Sequence, residues 1–83
     1  MSRGTAFQPG ELEYKLKILD IDEGIRVEAA SAGKVDKLFI NRRASGEYVI
    51  QHVDDFFYTF DLAEVRKIIM STLPESKITF WAY

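Results

Sequence analysis

Between Glu11 and Ile18 apolar and charged residues alternate, with Leu12, Tyr14, Leu16 and Ile18 on one side and Glu11, Glu13, Lys15 and Lys17 on the other. A period of two is that of a strand with one buried face. Asp20, Asp22 and Gly24 follow, residues that bond nearby backbone or accept positive φ, and they predict a hairpin turn. The next strand runs from about Ile25 to Ser31, with Ile25, Val27 and Ala29 on one face, and Ala32-Gly33-Lys34 ends it.

Val35 to Arg42 is ambiguous by spacing, because Val35, Leu38, Phe39 and Arg42 also fit a helical stripe. The β-prone run Leu38-Phe39-Ile40 favours a strand. Arg43-Ala44-Ser45-Gly46 reads as a four-residue hairpin loop leading to a strand over Glu47 to Val53. Asp54-Asp55 forms the next turn and Phe56 to Phe60 the next strand. Asp61 is then a good N-cap, with Glu64 three residues on, and Leu62, Val65, Ile68, Ile69, Thr72 and Leu73 share one side of a helix. Pro74 stops that helix, and Lys77 to Tyr83 alternates again. The predicted order is β-β-β-β-β-α-β: an α+β domain over residues 11–83, with a mainly antiparallel sheet of five or six strands and one helix packed on one face. Residues 1–10 read as a flexible tail; the competing reading is that Phe7 pins them to a groove.

A four-residue loop pairs Arg42 with Glu47, Ile40 with Val49 and Leu38 with Gln51 on one surface. An Asp54-Asp55 turn then adds Val53, Phe56, Tyr58 and Phe60, and the helix is expected on this side. The opposite surface holds Val35, Phe39, Tyr48, Ile50 and Phe57, beside Lys37 and His52. One helix cannot cover both surfaces, so the second is expected to meet the N-terminal hairpin, a second copy of the chain, or a ligand.

Composition narrows the function classes. Eighty-three residues that are 47% hydrophobic and 29% charged describe one core, and eleven basic against thirteen acidic residues give a net charge of −2. Binding to a phosphate backbone then needs local clustering of positive charge. The chain has no cysteine, hence no disulfide, thiolate nucleophile or cysteine zinc site. No apolar run approaches the roughly 18 residues of a membrane span, and the first ten residues lack the apolar stretch of a signal peptide. A cytoplasmic chain without a membrane partner is expected.

Catalytic chemistry has few candidates. His52 is the single imidazole, and neither Ser31 nor Ser45 lies in a nucleophile motif. Asp54 and Asp55, with Asp61 or with Asp20, Asp22 and Glu23, do not match the spacing of a calcium loop and are better explained as turn and cap residues. Neither glycine loop matches a phosphate cradle. The expectation is a non-enzymatic chain with no metal and no cofactor. Lys34, Lys37, Arg42 and Arg43 fall close to Phe39 and Tyr48, the ingredients of a base-stacking platform with a basic rim, although Asp36, Glu47, Asp54 and Asp55 offset much of that charge. At the C-terminus, alternation sends Phe80 to one side and Trp81 and Tyr83 to the other, which exposes an aromatic group of the kind enriched at interfaces. The leading expectation is an interaction module of the regulator or inhibitor type. It binds a protein partner or a second copy of itself through Phe39, Tyr48, Phe57, Trp81 and Tyr83, with Lys37 and Arg43 at the rim. Single-stranded nucleic acid on the same surface is the second reading.

Overall fold

The segment from Pro9 to Leu19 is set by proline and leucine spacing. Pro9 begins a turn of 3-10 helix (Pro9–Glu11), where its missing N–H costs nothing, and the Glu11 carboxylate accepts from the Gln8 amide at 2.9 Å. A short helix α1 (Leu12–Lys17) follows, burying Leu12 and Leu16, with Leu19 buried just after it. The strand expected over Glu11 to Ile18 is therefore a helix. Leucines at i, i+4 and i+7 make one helical stripe, whereas Tyr14 and Ile18, which alternation assigned to the same buried side, are 62% and 54% exposed. The computed structural model describes residues 4–31, 33–73 and 77–83. The expectations placed on Met1, Ser2, Arg3, Ala32 and Pro74 lie outside the described residues, as does the Lys34 side chain.

Six antiparallel strands form one sheet: β1 (Thr5–Phe7), β2 (Gly24–Ser31), β3 (Lys34–Arg42), β4 (Tyr48–His52), β5 (Asp55–Thr59) and β6 (Lys77–Ala82), in spatial order β1-β6-β2-β3-β4-β5. A second helix, α2 (Leu62–Thr72), precedes β6. The architecture is α+β, as expected, with two helices rather than one. Thr5–Phe7 pairs with β6, so this part of the expected tail is an edge strand; Phe7 stacks on Phe80 with ring centroids 5.5 Å apart, and that buried contact pins the segment.

Alternation along each strand divides the sheet into two faces. Ile25, Val27, Leu38, Ile40, Tyr48, Ile50 and Phe80 point to one side and join Leu12, Leu16, Val65 and Ile69 in a single buried cluster. Both helices therefore lie on the same face. The Asp61 carboxylate caps α2 by accepting from the Ala63 amide at 3.0 Å, as its position before the apolar stripe predicts.

The register between β3 and β4 differs from the expected one by a single residue. Arg42 lies opposite Tyr48 and Ile40 opposite Ile50, because the Arg43 amide donates to the Glu47 carbonyl at 2.8 Å and the Gly46 amide to the Arg43 carbonyl at 2.8 Å. Arg43 and Glu47 therefore close a three-residue loop, with Gly46 at φ +94°, the bulge conformation that glycine tolerates. A one-residue slip moves a whole strand to the other face. Tyr48, Ile50 and Phe57 thus join the covered side, while Val49, Phe56 and Tyr58 turn to the uncovered one. Between β4 and β5 the loop is Val53-Asp54, not Asp54-Asp55, with His52 opposite Asp55.

On the covered face Arg42 and Tyr48 fasten α1. The Tyr48 hydroxyl donates to the Leu16 carbonyl at 2.7 Å, and Arg42 Nη1 donates to the Lys17 and Leu19 carbonyls at 3.1 and 3.2 Å. These carbonyls lie at the C-terminal end of the helix, where intrahelical donors run out. Arg42 also sits 5.0 Å above the Tyr48 ring.

Two predictions follow from this packing. Tyr48→Phe removes the hydroxyl donor from the Leu16 carbonyl, which keeps the Leu19 amide at 3.3 Å, and should lower unfolding free energy by about 0.5–1.5 kcal/mol in urea titration. Burial also raises the Tyr48 hydroxyl above its ordinary value, with Arg42 opposing in part. The unfolded chain then loses this proton first, so stability should hold below about pH 10 and fall as pH rises beyond it, by less in Tyr48→Phe. Separately, Val53 is β-branched, 69% exposed and held at φ 54°. Val53→Gly should raise the unfolding free energy by an amount on the order of 1 kcal/mol, read as a higher urea midpoint with an unchanged slope.

Candidate functional site

The face without helices is built from the alternate positions of the same strands. One row of directly opposed residues crosses all six: Ala6, Trp81, Arg26, Phe39, Gln51 and Phe56. The next row contains Gly24, Asn41, Val49 and Tyr58. With strands about 4.8 Å apart, Trp81 stands about 10 Å from Phe39, and Phe39 about 10 Å from Phe56, each pair separated by a planar polar side chain. Phe56 and Tyr58 are 52% and 54% exposed, while Phe39 and Trp81 are half-buried.

Charged groups hold the β6 end of this row in place. Arg26 lies 5.4 Å above the Trp81 ring and pairs with Glu28 at 2.8 Å through Nε. Tyr83 exchanges backbone hydrogen bonds with Gly24 at 2.8 and 2.9 Å. Its ring lies close over Gly24, where an added Cβ would meet Cζ at 3.0 Å, so a larger residue there has to push the Tyr83 ring aside. Burial raises the Tyr83 hydroxyl above its usual value, and the Arg26 guanidinium partly offsets that. The Trp81 indole N–H is shielded from solvent and has no acceptor among the described residues, an unmet polar group at one end of the row.

Of the residues expected at the site, Phe39, Trp81, Tyr83 and Lys37 are on the uncovered face, and Arg43 reaches it by lying 5.9 Å from the Tyr58 ring centroid. Tyr48 and Phe57 are corrections: Tyr48 is 2% exposed and Phe57 packs against the core, both moved by the register of the β3–β4 loop. Phe56 and Tyr58 take their places. Exposed aromatics next to Phe57 were visible in the sequence, but parity from β3 could not select them without the bulge at Gly46.

Charge is unevenly distributed between the faces. The uncovered face and its adjoining loop carry Arg26, Lys37 and Arg43 against Glu28 and Glu47, whereas the other described side chains carry five positive and ten negative groups. Among the described residues the aromatic row thus lies on a slightly positive surface of a chain of net −2.

His52 lies on the covered side, where Nε2 is 3.0 and 3.1 Å from the two Asp36 carboxylate oxygens. That contact joins β3 to β4 near the end of the sheet. Among the described residues no three His, Asp or Glu side chains converge to hold a metal ion, and no helix is long and apolar enough to cross a membrane. No protein-family model, curated protein or solved structure matches the chain.

Arg26 shields Trp81, the sole tryptophan. Arg26→Ala should therefore increase acrylamide quenching of the intrinsic fluorescence while costing only about 0.5–1 kcal/mol of stability, since the guanidinium is part-exposed.

Proposed function

We propose that the chain is a non-enzymatic interaction module of the cytoplasm whose uncovered sheet face binds protein, in the first instance a second copy of the same chain. The observation that supports this reading is the row of Trp81, Phe39 and Phe56 crossing six strands, with Tyr58 and Tyr83 beside it. Six strands at about 4.8 Å and five residues at about 3.3 Å give a projected face of roughly 500 Å². Two such faces together approach the 1,000 Å² at which interfaces become specific. Both signs of charge lie at the centre of the face, in Arg26, Glu28 and Lys37. A two-fold axis can then set Glu28 of one copy against a base of the other.

Single-stranded nucleic acid is the second reading, favoured by the concentration of positive charge on the aromatic face of an otherwise acidic chain. Aromatic rings about 10 Å apart, with Arg26 between Trp81 and Phe39 and with Lys37 beside Phe39 on the same strand, suit stacked bases and their phosphates.

Sedimentation velocity across the micromolar range tests the first reading. A dimer that Phe39→Asp converts to monomer is expected, and a strict monomer at all concentrations removes self-association. Titration with an unstructured oligonucleotide, followed by Trp81 emission, separates the second: affinity should fall as salt rises, and silence at low salt removes it.

A further inference from the structure

The two edges of the sheet are unlike each other. β1 is three residues long, and short edge strands resist pairing with other chains. β5 has the sequence Asp55-Phe56-Phe57-Tyr58-Thr59, with a neighbour on one side only among the described residues. It contains no lysine, proline or bulge within the strand, the features by which edges are normally protected. Val53 and Asp54 form a two-residue loop closed by the hydrogen-bonded pair His52 and Asp55, so alternation spends the amides and carbonyls of Asp55, Phe57 and Thr59 on β4. Those of Phe56 and Tyr58 face outward.

A groove of about 680 Å³ runs along this edge between β5 and α2, lined by Phe57, Thr59, Asp61, Glu64 and Ile68 in addition to Phe56 and Tyr58. Its charged side chains are both acidic, and Asp54 and Asp55 stand exposed at its far end. The Asp61 carboxylate is occupied in capping α2, which leaves Glu64, Asp54 and Asp55 as the uncommitted negative groups. A strand edge beside a helix, with outward main-chain groups and an acidic lining, is the arrangement by which extended peptides add to sheets.

We infer that this edge is a docking site for an extended, lysine- or arginine-bearing segment of a partner protein, which adds as a seventh strand next to β5. Charge decides between this occupant and a second copy. Antiparallel pairing of β5 with its own copy, centred on Phe57, sets Asp54 and Asp55 of one chain near Asp61 of the other. A basic segment instead meets those carboxylates with opposite charge and lays alternate apolar side chains over Phe57 and Ile68. This surface is separate from the aromatic row, although Phe56 and Tyr58 border both.

The test uses the full chain with two fluorescein-labelled hexapeptides, one alternating valine with lysine and one alternating valine with glutamate. The basic peptide should bind at least about tenfold more tightly, a difference of about 1.4 kcal/mol, and should slow amide hydrogen exchange at Phe56 and Tyr58. Glu64→Lys, on the exposed side of α2, should narrow the preference for the basic peptide several-fold without altering the fold, because Asp54 and Asp55 remain. Tyr58→Pro should abolish binding, because it deletes an outward donor and keeps the bonds to β4. Equal binding of the two peptides, no binding, or protection confined to Trp81, Arg26 and Phe39 overturns the proposal. So does the same β5 protection in the chain alone, which identifies a second copy as the occupant. Dimerisation of the aromatic face is read independently, by sedimentation without peptide.

Discussion

The conformation of one loop decides which side of this sheet is buried. Gly46 takes a left-handed φ that a residue with a side chain would resist, and the bulge it forms closes the loop on Arg43 and Glu47, so that three residues, Ala44 to Gly46, make the loop in place of the four from Arg43 to Gly46. Arg42 then stands opposite Tyr48, and the two act on α1 together: hydroxyl to the Leu16 carbonyl, guanidinium to those of Lys17 and Leu19. Shift that register by one and Tyr48 faces away from the helix it holds, while Phe39 and Phe56 no longer share a face. The position of α1, the completeness of the core and the content of the open face all depend on that choice of parity.

A large part of the fold is legible in residue pattern. β2, β3, β4, β5, β6 and α2 fall within a few residues of where alternation, turn chemistry and the Asp61 cap place them. The N-terminal third of the pattern is ambiguous for a physical reason. Leu12, Leu16 and Leu19 satisfy a helical stripe, and the intervening Tyr14 and Ile18 make the same stretch alternate. Only burial separates the two periods, and burial is a tertiary fact: a leucine triplet finds the core by turning around an axis, leaving Tyr14 and Ile18 in water. Thr5–Phe7 is too short to carry any period at all. It is ordered by the free edge of β6 and by the Phe80 ring.

The candidate site was legible in kind and partly in identity. That too many aromatics exist for a sheet covered on one side follows from composition and alternation. Phe39, Trp81 and Tyr83 depend only on parity within their own strands, whereas Tyr48 and Phe57 depend on parity carried across a loop. Four-residue loops and three-residue loops with a bulge have nearly the same composition, and glycine occurs in both. The sequence of Arg43 to Glu47 therefore specifies a turn without specifying an odd or even count. The charge asymmetry was hidden for the same reason, because a net charge of −2 cannot reveal that the acids cluster away from one face until the faces are known.

The open face and the β5 edge are mechanically linked by the residues they share. Phe56 and Tyr58 hold their side chains over the face and their main-chain groups toward the edge, and they belong to one of the two edge strands. A strand added at β5 would extend the aromatic row rather than obstruct it, since its alternate side chains continue the same two faces. The acidic lining keeps the edge selective, because the groups that attract a basic segment are the ones that keep a second copy of β5 away.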